Sequence, residues 1–175
     1  MGLFDFFKEK KDPKLDYTVN ELEVGFMIDY FMSTWEVKKV YLYDWGNNIE
    51  TREYLLDSGS ETYYLHVEDD DQLKCSLSKK IELRDIDPGL AQQIVSQDDA
   101  PQQIVFENVT YHRATSGQGY CGESGDDDED WSKFVNWTFE NGEDFISIDR
   151  WGEEEFSAAK GSYVKEIEFS NILPK

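Results

Sequence analysis

The sequence predicts a mainly β protein: antiparallel sheets or barrel-like units in two pseudo-symmetric halves, with a short helix between them. Three observations carry this expectation. Phe, Trp and Tyr make up 15% of the 175 residues, and these side chains favour pleated, half-buried surfaces. Segments such as "TYYLHVE" alternate, placing Tyr63, Leu65 and Val67 on one face and Tyr64, His66 and Glu68 on the other. Finally, three stretches recur in order. "YLLDSG" (54–59) matches "WTFENG" (137–142), "YLHVE" (64–68) matches "FISID" (145–149), and "KKIELRDI" (79–86) matches "KEIEFSNI" (165–172).

Taken along the chain, residues 1–16 form a separate amphipathic and basic segment. Leu3, Phe4 and Phe7 share one helical face, and Lys8, Lys10, Lys11 and Lys14 follow before and after the breaker Pro13. Residues 17–100 make the first β-rich half. "FMIDYF" and "WEVKKVYLYDW" read as strands closed by "GNN", and "ETREYLLDSGSETYYLHVEDDD" reads as a hairpin around Ser58-Gly59-Ser60. "CSLSKKIELRDI" supplies one or two further strands. "DPGLAQQIVSQ" is the helix, with Asp87 as its cap and Pro88 in its first position. "DDAPQQ" reads as a linker into the second half, residues 101–175, fused with the first in one domain. If the halves are duplicates, "GESGDDDEDWSKF" (122–134) is an enlarged version of the "DWGNN" turn, with Trp131 in the structural part of Trp45.

Charge narrows the partners. Thirty-eight acidic residues against 17 basic leave a formal net charge of −21. That field repels nucleic acid phosphates and concentrates cations. No apolar run approaches the length of a membrane span. With no secretory leader, and Cys75 and Cys121 forming no CxxC, a reducing cytoplasm is the expected compartment.

Several of these segments resemble an uncharacterised bacterial family, domain of unknown function 4178. The resemblance rests on "LEVGFMIDY", on "YDWGNNIETREYLL" followed by "YYLHVEDDD", and on "FISIDRWGEEEF" followed by a Gly161-centred turn and a last strand. It covers residues 20 to 173. Where such families place a Gly-Asp pair after the first strand signal, this chain has Gly25-Phe26. The resemblance implies a bacterial cytoplasmic protein, encoded beside genes for polyamine aminopropyltransferase-like enzymes, small membrane proteins and membrane-stress proteins.

The residues themselves offer little chemistry. Asp126, Asp128 and Asp130 begin like a calcium loop, but Trp131 and Trp137 stand where an EF-hand needs Gly and Glu. His66–Cys75 and His112–Cys121 are each nine residues apart, wider than structural zinc pairs use. A Cys-His hydrolase drawn from His112 and Cys121 lacks an activated thiol, because the nearby acids oppose a thiolate. No metal, cofactor or catalytic residue is therefore expected.

Carboxylates next to aromatic rings suit cations, which the rings attract through their faces. The expected function is a non-catalytic accessory module for a polyamine or a basic protein surface. Its contacts would be Asp69, Asp70 and Asp71, then Asp126, Asp127, Asp128, Asp130 and Trp131, then Trp151 and Glu153. The rival is a peripheral membrane-stress adaptor making weak lipid contact through Leu3, Phe4, Phe7, Lys8 and Lys11.

Overall fold

The computed structural model describes Lys14, residues 16–127 and residues 130–175. Eleven strands are present among them: β1 (Met27–Tyr30), β2 (Ser33–Asp44), β3 (Glu50–Asp57), β4 (Thr62–Asp69), β5 (Leu73–Ile81), β6 (Gln103–Phe106), β7 (Val109–Glu123), β8 (Ser132–Asn141), β9 (Asp144–Trp151), β10 (Glu155–Val164) and β11 (Phe169–Leu173). Between β5 and β6 lie the single turn α1 (Leu83–Ile86) and the helix α2 (Leu90–Gln97).

Eight of the strands close into an antiparallel barrel. β2 to β5 form one meander and β7 to β10 another, and the two join along β5–β10 and β2–β7. β1 and β11 extend the sheet from β2, and β6 extends it from β7. The expectation of a mainly β, barrel-like protein with a short central helix is met. Helix α2 starts two residues later than expected, at Leu90 rather than Pro88. Gly89 is its N-cap, and Asp87 accepts hydrogen bonds from the Gly89 amide (2.7 Å) and the Leu90 amide. The stretch taken as a continuing strand after Ile81 is instead α1, and the "linker" is tied down. Asp99 accepts from Arg113 (2.7 Å) and from Trp137 Nε1 (2.9 Å).

Duplication is not confirmed. Two of the three sequence matches fall on strands with equivalent positions, β3 with β8 and β4 with β9. The third sets the end of β5 and α1 against a 3-10 turn and β11, which are not equivalent.

Both hydrophobic cores lie outside the barrel wall. Val37, Tyr54, Leu56, Leu65, Val67 and Leu77 face outward and are covered by Val19, Leu22, Phe26, Ile28 and Phe169. Phe139, Ile146, Ile148 and Trp137 face outward on the other side, beneath Leu90, Ile94 and Ile104. Period-two alternation then sends the intervening residues of every barrel strand into the lumen. The apolar belt of the barrel is thus covered by the chain's own elements.

The β1–β2 hairpin departs from ordinary turn chemistry. Its two loop residues, Phe31 and Met32, have φ of 46° and 61° and are 82% and 99% exposed. Two-residue hairpins with left-handed φ at both positions favour Asn-Gly, and bulky residues there are strained. Replacing Phe31→Asn and Met32→Gly together is expected to stabilise the fold by about 1–2 kcal/mol. A urea midpoint raised at constant slope shows it; an unmoved midpoint would mean the turn stores no strain.

Candidate functional site

The lumen holds a cavity of about 580 Å³, within the range of small-molecule sites. Its wall is polar and aromatic, and the strand register explains how each residue reaches it. Glu53 on β3 pairs with His66 on β4, which pairs with Ser76 on β5. Asn136 on β8 pairs with Asp149 on β9, which pairs with Ser157 on β10. These residues all line the cavity, as do Tyr43, Trp45, Tyr64, Lys80, Thr138, Phe145 and Ser147.

Asp149 sits deep in this wall. Asn136 donates its amide to Asp149 Oδ1 at 2.8 Å and to Ser147 Oγ at 2.8 Å, while its own carbonyl accepts from Thr138 at 3.1 Å. Among the described residues, no lysine or arginine forms an ion pair with Asp149. Burial pushes its carboxyl up to about 6, and the charge of Glu53 adds to the rise, against the Asn136 hydrogen bond, Lys80 and His66. Glu53 accepts a hydrogen bond from the Tyr43 hydroxyl at 3.1 Å. His66 Nδ1 stands 3.6 Å from Glu53 Oε2, beyond hydrogen-bond reach.

One layer further along β8, away from Glu140, an aromatic cluster fills the lumen. Phe134 packs against Trp45 (4.9 Å between ring centroids), Tyr43 (5.4 Å) and Trp151 (5.5 Å). Trp45 Nε1 donates to Thr51 and Trp151 Nε1 to Ser157, both at 2.9 Å. In the opposite direction the wall becomes more open. Glu53 has 18% of its side chain exposed, and Glu68, two residues beyond its partner His66, has 39%. Near that mouth Tyr163 donates to Glu140 Oε1 at 2.6 Å, and Lys74 meets Glu68 at 3.3 Å.

The residues selected from sequence are placed elsewhere. Asp69, Asp70 and Asp71 lie in and beside the β4–β5 turn, while Asp126, Asp127 and Asp130 lie in the β7–β8 connection. Asp128 and residues 1–13, including Leu3, Phe4, Phe7, Lys8 and Lys11, fall outside the described residues. Asp69 accepts from Asn20 (2.7 Å), tying the segment before β1 to the end of β4, and Asp126 accepts from the Glu123 amide (3.1 Å) within its own turn. Trp131 lies over Gly122, where a Cβ would collide with its indole. It shares an outer groove with Asp69 and Asp70, so residues from two of the three sequence clusters meet there. Trp151 and Glu153 are separated: the indole enters the lumen, and Glu153 is an exposed turn residue.

The thiols and imidazoles are also dispersed. Cys75 is buried in the first outer core, His112 is exposed, and Cys121 pairs with Tyr43 at the lumen wall. His112 and Cys121 stand about 30 Å apart along one strand at ~3.3 Å per residue, so the drawn Cys-His pair does not form. Burial pushes the Cys121 thiol up to about 11, leaving it protonated at neutral pH. Among the described residues, no group of three or more His, Cys, Asp or Glu is placed to hold a metal ion, and no helix is long and apolar enough to cross a membrane.

Comparison with known proteins places the chain in a family. The model of "Domain of unknown function (DUF4178)" matches residues 23–166, and the chain belongs to that family. An uncharacterized protein of Aquifex aeolicus (strain VF5) is 27% identical over 185 residues, spanning 99% of this chain and 95% of that protein. No solved structure matches significantly.

Proposed function

We propose that this protein is a non-catalytic binding module of the bacterial cytoplasm that holds a small organic cation inside its barrel. The observation supporting this reading is the lumenal carboxylate Asp149, which lies near Glu53 in a wall of Tyr43, Tyr64, Trp45 and Phe145 and, among the described residues, has no cationic side chain bonded to it. A buried carboxylate is costly unless it meets a cation or a proton, and aromatic rings add attraction for ammonium groups. The acidic loops serve the same purpose at longer range, raising the local cation concentration. Compared with the sequence expectation, the contact moves from the loops to the lumen.

Thermal unfolding of the full chain with spermidine, against magnesium chloride at matched ionic strength, tests the reading. Spermidine at one hundred times its Kd is expected to stabilise by about 2.7 kcal/mol, and the effect should vanish in Glu53→Gln. Because cation binding favours ionised Asp149, affinity should weaken below about pH 6, by up to about tenfold per pH unit. Equal shifts with magnesium and spermidine would sink the proposal, since only generic screening would remain.

A further inference from the structure

The lumen carries its charges at two separate levels, and we infer from this that the ligand is a dication with two ammonium groups at the ends of an extended chain. This inference rests on the lumen being a cation site, and it adds the ligand's valence and shape. The inner level holds Glu53, Asp149 and Lys80. The outer level, at the mouth, holds Glu68, Glu140 and Lys74. Each level therefore has two carboxylates and one lysine, an excess of one negative charge when both carboxylates are ionised. The levels are linked by register. Glu68 is two residues along β4 from the Glu53 partner His66, and Glu140 is four residues along β8 from the Asp149 partner Asn136. At about 3.3 Å per residue, the carboxylates of the two levels are offset by roughly 7–13 Å along their strands.

Between the levels the wall changes character. Ser76, Ser78, Thr138 and Ser147 present small hydroxyls, with Phe145 among them. At Gly161 a Cβ would lie 2.7 Å from both Phe145 Cζ and Ser78 Cβ, so this ring fills space that any larger residue at position 161 would claim. A methylene chain suits this midsection, since the inner ammonium of a triamine such as spermidine would sit there without a carboxylate partner, and spermidine would bind less tightly than the best diamine. Lys80 Nζ already lies 5.0 Å over the Tyr64 ring, showing that an ammonium group packs against the wall of the inner level. Lys74 and Glu68 are both well exposed, so their ion pair contributes little and yields readily to a competing ammonium. Chemically, the fitting class is a linear alkyl diamine.

Calorimetry on the full chain at pH 7.5 separates the possibilities, using butylamine, ethylenediamine, putrescine, cadaverine and octamethylenediamine. Two linked contacts gain from effective concentration. The best-fitting diamine is expected to bind at least about tenfold more tightly than butylamine, with a maximum at one chain length. Replacing Glu68→Gln and Glu140→Gln together should remove that advantage while leaving butylamine unchanged, whereas Glu53→Gln should weaken both. Equal affinity for butylamine and every diamine would overturn the two-level inference and leave the cation site standing. Binding of no amine at all would overturn both.

Discussion

Asp149→Asn is expected to raise the melting temperature at pH 7.5 and to abolish amine binding in the same molecule. The carboxyl is held at about 6 in the folded protein, against an ordinary value of 3.8. The folded state thus binds this proton more tightly than the unfolded state, so ionising Asp149 costs stability as pH rises from 3.8 to about 6. Above that range the cost is complete, about 3 kcal/mol. An asparagine keeps the shape, retains an acceptor for Asn136 and carries no charge. It should recover most of that energy, corresponding to about 6–12 °C for a chain of this size. The gain should fall to about half at pH 5, where the native carboxyl is mostly protonated. Melting curves of both proteins between pH 5 and 8 read the pattern directly. A variant that is less stable at every pH would show that Asp149 is already satisfied within the fold, and the argument for a ligand cation would lose its basis. Residues that cost stability and are retained at a lumen wall fit a binding role better than a structural one.

Gly119→Ala should damage the barrel severely for so small a substitution. Gly119 lies beside the β2–β7 seam, where only Tyr41–Glu123 through Asp44–Tyr120 are paired. A Cβ at residue 119 would overlap the carbonyl oxygen of Asp44 and approach Trp45 Cα at 3.1 Å. These are backbone atoms held in the ladder, and they cannot rotate away as a side chain would. Relief requires the seam to spread, which is expected to cost about 3 kcal/mol. Urea unfolding should register the loss, and hydrogen exchange should speed up at the amides of β2 and β7. Gly89→Ala is the control. Its Cβ would meet only Asp87 Oδ1 at 3.4 Å, so its cost should stay at about 1 kcal/mol, the ordinary penalty of alanine at an N-cap. If both variants behave alike, the seam is more compliant than its geometry implies.

The strands were legible because alternation is a local property. The hairpin at Ser58-Gly59-Ser60 and the helix after Pro88 were also written in adjacent residues. The lumen was not. In an open antiparallel sheet the face carrying Tyr64, His66 and Glu68 would meet water, and the same pattern serves a polar interior equally well. Only closure decides between them, and closure depends on β2 meeting β7 and β5 meeting β10. Glu53 and Asp149 therefore shared no signal in the sequence. Trp151 did carry one: it stands two residues from Asp149 on the same strand, hence on the same face, while its grouping with Glu153 followed proximity in sequence. The acidic loops drew attention by density, yet Asp69 is engaged in tethering Asn20 and Asp126 in holding its own turn.

The position of β11 governs the order in which this molecule can be finished during synthesis. Phe169 seals the outer core of the first meander, and β11 pairs with β1 near the opposite end of the chain. A ribosome that has delivered β1 to β5 has released five adjoining strands whose outward apolar face still lacks part of its cover. Those strands must wait through α2 and the whole second meander before β10 and then β11 arrive. Contacts so distant in sequence close slowly, and unpaired strand edges left exposed in the meantime invite association with other nascent chains. Folding yield in the cell should accordingly depend on how quickly the last third of the chain emerges.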